Sequence, residues 1–273
     1  MNEVKNLHNI VRKGIRDSSL SLRMTLSGLF TKLSTMFHKY SKTAIFIFII
    51  NIFIIGLAES CSKKSGYVIR EGDLFFQDLD CGPLCEAIEK VTEGYHGAKF
   101  SHVGIIAKDS CGNYVVIEAR SNGVGVTPYL KFLERSNDVN GNPKVIVGRL
   151  KKRYHYLITS AINEAYSLLG KPYDRVFDIK NDAYYCSELI YEIFLRANNG
   201  KPIFELQPMT FRDSHNGKTF PAWEKYFLEI EAPIPEGELG LNPGSISRSS
   251  VITIVHAFGT PDGWKNEQEI KKH

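Results

Sequence analysis

Two short segments of this chain hold side chains able to do covalent chemistry together. Phe100-Ser101-His102-Val103-Gly104-Ile105 sets an imidazole in a strand-like stretch, and Tyr184-Tyr185-Cys186-Ser187-Glu188-Leu189 sets a thiol where a helix pattern begins. A thiol becomes a working nucleophile when its pKa is lowered, and a helix N-terminus and a neighbouring imidazole both lower it. Cys186, Leu189, Ile190, Ile193, Phe194 and Ala197 recur at three- and four-residue intervals, which places them on one helix face with Cys186 in the first turn. There the unpaired main-chain N–H groups favour a thiolate and are also placed to hold an oxyanion. Singly, each residue has a plainer explanation. A cysteine on an apolar helix face is most often a small buried hydrophobe, and a strand histidine is most often a hydrogen-bonded core residue. The flanks change the balance, because a polar ring among apolar neighbours needs a partner. Glu118, between Ile117 and Ala119 on the following strand-like stretch, offers one. An imidazole acting on a thiol works best when a third polar group fixes its tautomer, so His102, Glu118 and Cys186 form a candidate catalytic set.

The elements that must position these residues are legible as alternating strand and helix patterns from Gly66 on, without a repeat or a low-complexity linker. Glu71-Gly72-Asp73 predicts a turn into the strand Leu74-Phe75-Phe76, and residues 84–91 have helical spacing. Strands are expected over 102–107, 114–120 and 145–150, with another near Val126-Thr127 and a short helix from Thr127-Pro128-Tyr129-Leu130 to about Glu134. Together these make a small, mostly antiparallel sheet. Residues 156–169 then carry apolar side chains at helical spacing and stop at Gly170-Lys171-Pro172, after which a loop through Tyr173 and Asp174 leads to the Cys186 helix.

Composition narrows the class of partner. The 273 residues carry a formal charge of +4, but Met1 to Cys61 holds eight Lys or Arg against three Asp or Glu, so the remainder is close to neutral at −1. Basicity therefore belongs to the leader and gives no support to nucleic-acid binding by the folded part. Within that leader, the apolar run from Ala44 to Ala58 follows Lys39 and Lys42. It is shorter than the roughly 20 residues of a membrane span and fits the core of a secretion signal, about 7–15 residues long. Leu57-Ala58-Glu59-Ser60-Cys61 resembles a bacterial lipoprotein signal in which Cys61 is lipidated, with Glu59 standing where such signals place a small uncharged residue. A plain signal peptide or an uncleaved anchor is the alternative. Met36 and Met24 are alternative starts to Met1, and Leu20, Leu22, Leu26, Leu29, Phe30 and Leu33 offer a basic amphipathic helix instead. The expected organisation is a leader over 1–61 and one catalytic domain over 62–273, exported and held at the cell envelope. Cys81, Cys85 and Cys111 allow one disulfide in an oxidising compartment. Cys81-Gly82-Pro83-Leu84-Cys85 reads as a local disulfide or two partly buried thiols rather than a metal pair, since no second Cys or His pair follows at zinc spacing.

Gly72-Asp73-Leu74-Phe75-Phe76, His102-Val103-Gly104-Ile105 and Val116-Ile117-Glu118-Ala119 resemble the His half of NlpC/P60 papain-like cysteine hydrolases. Leu169-Gly170-Lys171-Pro172-Tyr173 and Cys186-Ser187-Glu188-Leu189-Ile190 resemble their Cys half. In ordinary members the Cys half comes first; the exchanged order resembles the circularly permuted YiiX/YebB-like and YaeF-like branch, related to the lecithin:retinol acyltransferases. Phe76-Gln77, Pro221-Ala222-Trp223 and Leu241-Asn242-Pro243-Gly244 add to the likeness, which covers about Tyr67 to Phe258. The resemblance implies an α+β permuted papain-like fold, a small antiparallel sheet or half-barrel with the nucleophile helix packed on it. It makes Cys186 the nucleophile, His102 the base and then acid, Glu118 the residue orienting His102, and Tyr173 a substrate-binding residue beside the oxyanion. Glu118 departs from the second His or similar polar group usual in third place. No metal or organic cofactor is implied. The expected reaction is cleavage of an amide or ester through a Cys186 acyl-enzyme. The substrate is a cell-wall peptide or a lipid-linked or N-acyl compound; an acyltransferase of the same mechanism and a catalytically silent lipid-binding lipoprotein are the alternatives. Phe204, Phe211, Phe220, Trp223, Tyr226 and Phe227 either roof an acyl pocket or pack as core.

Overall fold

The hydrophobic alternation of the strands dictates a two-faced sheet, and a computed structural model describing residues 66–265 has one at its centre. Six strands, β1 (Leu74–Gln77), β2 (His102–Lys108), β3 (Tyr114–Arg120), β4 (Gly123–Pro128), β5 (Val145–Leu150) and β8 (Ile252–Ala257), lie in the order β4-β3-β2-β1-β5-β8. Every pairing is antiparallel. A second ribbon pairs β6 (Gln207–Pro208) with β7 (Leu239–Gly240). Among the described residues the α-helices are α1 (Pro83–Val91), α2 (Tyr129–Leu133), α3 (Ile158–Ser167), α4 (Cys186–Ala197), α5 (Pro221–Glu229) and α6 (Pro243–Ser247). Residues from Tyr67 onward form one compact unit. The leader, its apolar run, the alternative starts, the amphipathic helix and Cys61 lie outside the described residues.

Alternate residues of each strand serve different layers. Leu74, Phe76, Val103, Ile105, Ala107, Val115, Ile117 and Ala119 face the main core, where Ala161, Ala165, Leu189, Ile190, Ile193 and Phe194 of α3 and α4 cover them. Phe75, Ile106, Val116, Val145 and Val147 face the opposite way, beneath Phe132 and Leu133 of α2. A third cluster, Ala87, Phe211, Trp223 and Phe227, lies between α1 and α5. Gly104 lets β2 and β3 approach: a Cβ there would meet Val116 Cγ1 at 2.4 Å and Glu118 Cβ at 3.3 Å. At the start of β1, Gly72 has φ +83°, which suits glycine. The next residue, buried Asp73, accepts from Arg70 N (2.9 Å), Tyr67 Oη (2.8 Å) and Arg149 Nε (2.6 Å).

The expected strands and helices stand close to their predicted bounds, while β4, α3, α5 and β8 differ, and α6 and the β6–β7 ribbon have no counterpart in the sequence reading. β4 begins at Gly123, earlier than expected. A 3-10 stretch, Lys152–Leu157, precedes α3, so the regular helix starts at Ile158. Helix α5 lies in a segment read as irregular although Trp223, Tyr226, Phe227 and Ile230 have helical spacing behind Pro221 in the first turn. Edge strand β8 was also not expected from sequence; its exposure alternates, but Thr253 and His256 weaken the apolar pattern. Cys81 and Cys85 form a disulfide, and Cys111 is free and exposed.

Candidate active site

The strand start, the neighbouring strand and the helix N-terminus converge on one point. His102 is the first residue of β2, Glu118 lies near the end of β3, and Cys186 is the first residue of α4. His102 Nε2 lies 2.6 Å from Glu118 Oε2, both side chains being buried. With Nε2 committed to the carboxylate, Nδ1 is the nitrogen left for the Cys186 thiol, which is near enough for each group to shift the pKa of the other. Tyr173 closes beside the thiol. Four of the residues singled out from sequence are thus brought together, and the fifth, Cys61, lies outside the described residues.

Glu118 is held more fully than the sequence suggested. Thr127 Oγ1 donates to its Oε1 at 2.6 Å, Arg135 Nη1 donates to Oε2 at 2.7 Å, and Arg135 Nη2 bonds to Oε1. Arg120 Nε lies 3.5 Å from the same Oε1. The fork of Arg135 matches a carboxylate with two parallel bonds, fixing the plane of Glu118 and hence the imidazole it orients. Sequence reasoning missed Arg135 and Thr127. Thr127 lies on β4 and Arg135 beyond α2 in chain order, and the one signal for Arg135 is a basic residue two positions after the apolar Phe132-Leu133 pair.

These contacts set the protonation states. Burial alone would lower the pKa of His102, but its hydrogen bonds to Cys186 and Glu118 and their negative charges raise it to about 9. Burial alone would raise Cys186, yet the His102 hydrogen bond and charge, the Ser187 hydroxyl and the Val103 N–H bring it below its ordinary value. Against its own burial, Glu118 is held well below the usual carboxylate range by Arg135, His102 and Thr127. These shifts favour an imidazolium facing a thiolate, with an ionised carboxylate behind the ring. Glu188, at the third position of α4, accepts from Tyr185 N at 3.2 Å. Burial, then Asp174 and Glu192, push it to about 9, so it adds no negative charge beside the thiolate. Tyr173 keeps its proton, because burial and the thiolate charge hold its phenol well above the ordinary value.

Two cavities meet at this pair. One, of about 260 Å³, is lined by Cys186, Ser187, Tyr185, Phe211, Trp223 and Leu241 among others; the second, of about 500 Å³, is lined by His102, Arg120, Arg135, Arg175 and Tyr226 among others. Ile88, Ser101, Tyr173 and Phe177 border both. Of the six aromatics flagged in sequence, Phe211 and Trp223 line the first cavity and Tyr226 the second, while Phe227 is buried in the third core cluster.

Comparison with known proteins agrees with the fold. The family model described as permuted papain-like amidase enzyme, YaeF/YiiX, matches residues 68–256. No curated protein sequence matches. Among solved structures, the metalloprotein YiiX from Escherichia coli O157:H7 superimposes with a TM-score of 0.56 at 22% identity, over 71% of this chain and 99% of its own. Among the described residues, one trio of carboxylates, Asp78, Asp80 and Asp262, has oxygens within 4.8 Å of one another. Lys144 Nζ stands at 3.1, 2.7 and 3.7 Å from those three acids, so an ammonium already supplies the cation and the set does not fit an ion. Also among the described residues, no helix is long and apolar enough to cross a membrane.

Proposed function

Because this chain belongs to the YaeF/YiiX family of permuted papain-like amidases, and is a cysteine hydrolase with an α+β permuted papain-like fold, we propose that Cys186, His102 and Glu118 are its catalytic set and an N-acyl amide is its substrate. The observation that carries the roles is the buried His102–Glu118 contact of 2.6 Å at the start of β2, with Cys186 at the N-terminus of α4 beside it.

In this reading the Cys186 sulfur attacks the amide carbonyl and forms the C–S bond. The oxyanion is held by main-chain N–H groups at the start of α4 and by the protonated phenol of Tyr173. As the C–N bond breaks, His102 gives its proton to the leaving nitrogen. A water then adds to the acyl-enzyme, His102 takes its proton, the C–S bond breaks, and a carboxylic acid leaves with the thiolate restored. Glu118 never exchanges a proton; its role is to hold the ring and balance the imidazolium. The cavity beside Cys186 has Phe211, Trp223, Tyr185 and Leu241 in its wall alongside Gln207, Thr210, Asn242 and Arg248, and the aromatic part of that wall supports an apolar acyl group rather than a cell-wall peptide. We further infer export and a lipid anchor at Cys61. The apolar run before Cys61 and the Cys81–Cys85 disulfide support that reading.

Competitive alkylation tests the roles. Cys186 should react with iodoacetamide much faster than Cys111, and the difference should vanish in His102→Ala. Equal labelling of the two cysteines in the native protein would sink the proposal. Mass spectrometry of a trapped Cys186 adduct after incubation with N-acyl amides and with cell-wall fragments separates the substrate classes.

A further inference from the structure

The two cavities differ in which catalytic group opens onto them. Cys186 lines the aromatic cavity and not the other, whereas His102 lines the larger cavity and not the first. Since the leaving nitrogen takes its proton from His102, the amine half of the substrate has to sit on the His102 side, and the acyl half on the Cys186 side. The His102 cavity is basic. Arg120, Arg135 and Arg175 contribute to its wall, and no carboxylate does.

The charges around it do not cancel. Glu118 is matched by the two-pronged contact from Arg135, and the imidazolium by the thiolate, which leaves Arg120 and Arg175 in excess. Arg120 Nε lies 3.5 Å from Glu118 Oε1 and is buried without a hydrogen-bond partner of its own among the described residues. Arg175 is exposed and makes no ion pair among the described residues. The acid beside it in sequence, Asp174, is turned into its own loop, accepting from Val176 N at 2.9 Å and Asp178 N at 2.6 Å. The main chain of Arg175 is pinned at the cavity wall, where Tyr226 Oη donates to its carbonyl at 2.8 Å. A buried donor lacking an acceptor and a guanidinium with no carboxylate partner among the described residues, its neighbour being the Tyr226 hydroxyl, are the complement of an anion on one wall.

Resting on the catalytic roles proposed above, we infer that the amine half of the substrate carries an anionic group, a carboxylate or a phosphate, held by Arg175 and Arg120 in the cavity beside His102. The enzyme then releases an anionic amine, as from an N-acyl amino acid, and an amide with an uncharged leaving group is a poor substrate. Arg175 and Arg120 are specificity residues here and take no part in bond making.

Two measurements on the whole purified protein test this. The first needs no substrate: the rates at which iodoacetate and iodoacetamide alkylate Cys186 are compared in the native protein, Arg175→Glu and Arg175→Lys. The two reagents are matched in size and differ in charge, so their ratio reads the local field. Charge reversal should lower the iodoacetate-to-iodoacetamide ratio about fivefold or more, and Arg175→Lys should preserve it. A ratio unchanged by Arg175→Glu, with Cys186 still fast toward both reagents, overturns the anionic leaving group and leaves the nucleophile in place. Slow labelling of Cys186 by both reagents in the native protein overturns the catalytic roles and this inference with them.

The second measurement compares hydrolysis of N-octanoyl-glycine, N-octanoyl-glycinamide and N-octanoyl-aminomethylphosphonate. One or both anions should exceed the glycinamide in kcat/KM by about tenfold or more, and their order distinguishes carboxylate from phosphate chemistry. Arg175→Gln should narrow the gap and Arg175→Lys restore it. Equal kcat/KM for all three overturns the inference while the amidase assignment stands.

Discussion

The two sides of the active site are built by different rules. On the His102 side, one carboxylate receives bonds from an imidazole, a hydroxyl and both prongs of a guanidinium, all from strands and short connections of the central sheet. On the Cys186 side the wall comes from α1, α5, α6, the β6–β7 ribbon and the loops between them, and sets the rings of Phe177, Tyr185, Phe211 and Trp223 among polar groups such as Gln207, Asn242 and Arg248. Proton transfer tolerates little error in angle or distance, so the polar side is fixed by several hydrogen bonds. Holding an apolar group asks mainly for volume and dryness, and many packings supply those. Perturbing each side should therefore give different signatures.

The largest effect belongs where the sides meet. Cys186→Ala should lower kcat for amide hydrolysis by about ten-thousand-fold or more, and His102→Ala by a similar factor, because residues acting as one unit fail together. The double variant should be no worse than either single one. Additive losses would mean that the two residues do not form a pair.

Glu118→Gln is the next step down and breaks the polar side alone. The amide cannot answer both prongs of Arg135 or hold an imidazolium, so kcat should fall about a hundredfold. Leaving Arg135 without its carboxylate should also cost stability, on the order of 3 kcal/mol in chemical denaturation. A variant with native kcat would show that Glu118 is structural and leaves the ring free.

The pH profile reads the same side without mutation. His102 has its folded pKa raised from 6.5 to about 9, so its contribution to stability is complete below 6.5 and disappears as pH rises through 9. Cys186 has its folded pKa lowered, so its contribution is lost as pH falls through that lowered value. Between those limits the thiolate–imidazolium pair persists, and kcat/KM should form a plateau whose alkaline limb falls near pH 9. In Glu118→Gln that limb should move to lower pH, since the charge that helps raise His102 is gone. An alkaline limb at the same pH in both proteins would show that Glu118 does not set the ring.

This contrast also explains what could be read in the sequence. His102, Glu118 and Cys186 stand out because each is polar or reactive inside an apolar period, and such a residue demands a partner. The strands carrying them were visible for the same reason, since β2 and β3 bury both faces in near-continuous Val, Ile and Ala. Arg135 was not legible, because it follows a five-residue helix and only the folded hairpin brings it to Glu118. The aromatic segment from Phe204 to Phe227 left two readings open, and the fold divides them. Phe227 is core, whereas Trp223 on α5 and Phe211 on a loop are each at once core and cavity wall. Hydrophobicity alone does not say which surface of a ring meets protein and which meets substrate.

The smallest expected effect sharpens the apolar side. Trp223 is buried with Nε1 lacking a partner among the described residues, and its ring lines the cavity beside Cys186. If an acyl chain occupies that cavity, kcat/KM should climb by about threefold to fourfold for each added methylene from N-acetyl upward until the space is filled, as expected for roughly 0.8 kcal/mol per buried methylene. Trp223→Phe keeps most of the packing and changes the volume, so it should leave the N-acetyl substrate within about twofold and alter the chain length at which the climb stops. The polar side predicts no such dependence, because Glu118→Gln should slow every chain length by the same factor. A Trp223→Phe protein that loses activity equally on all chain lengths, with a lowered melting temperature, would assign the whole aromatic cluster to the core and return the choice of acyl group to the loops around Gln207 and Asn242.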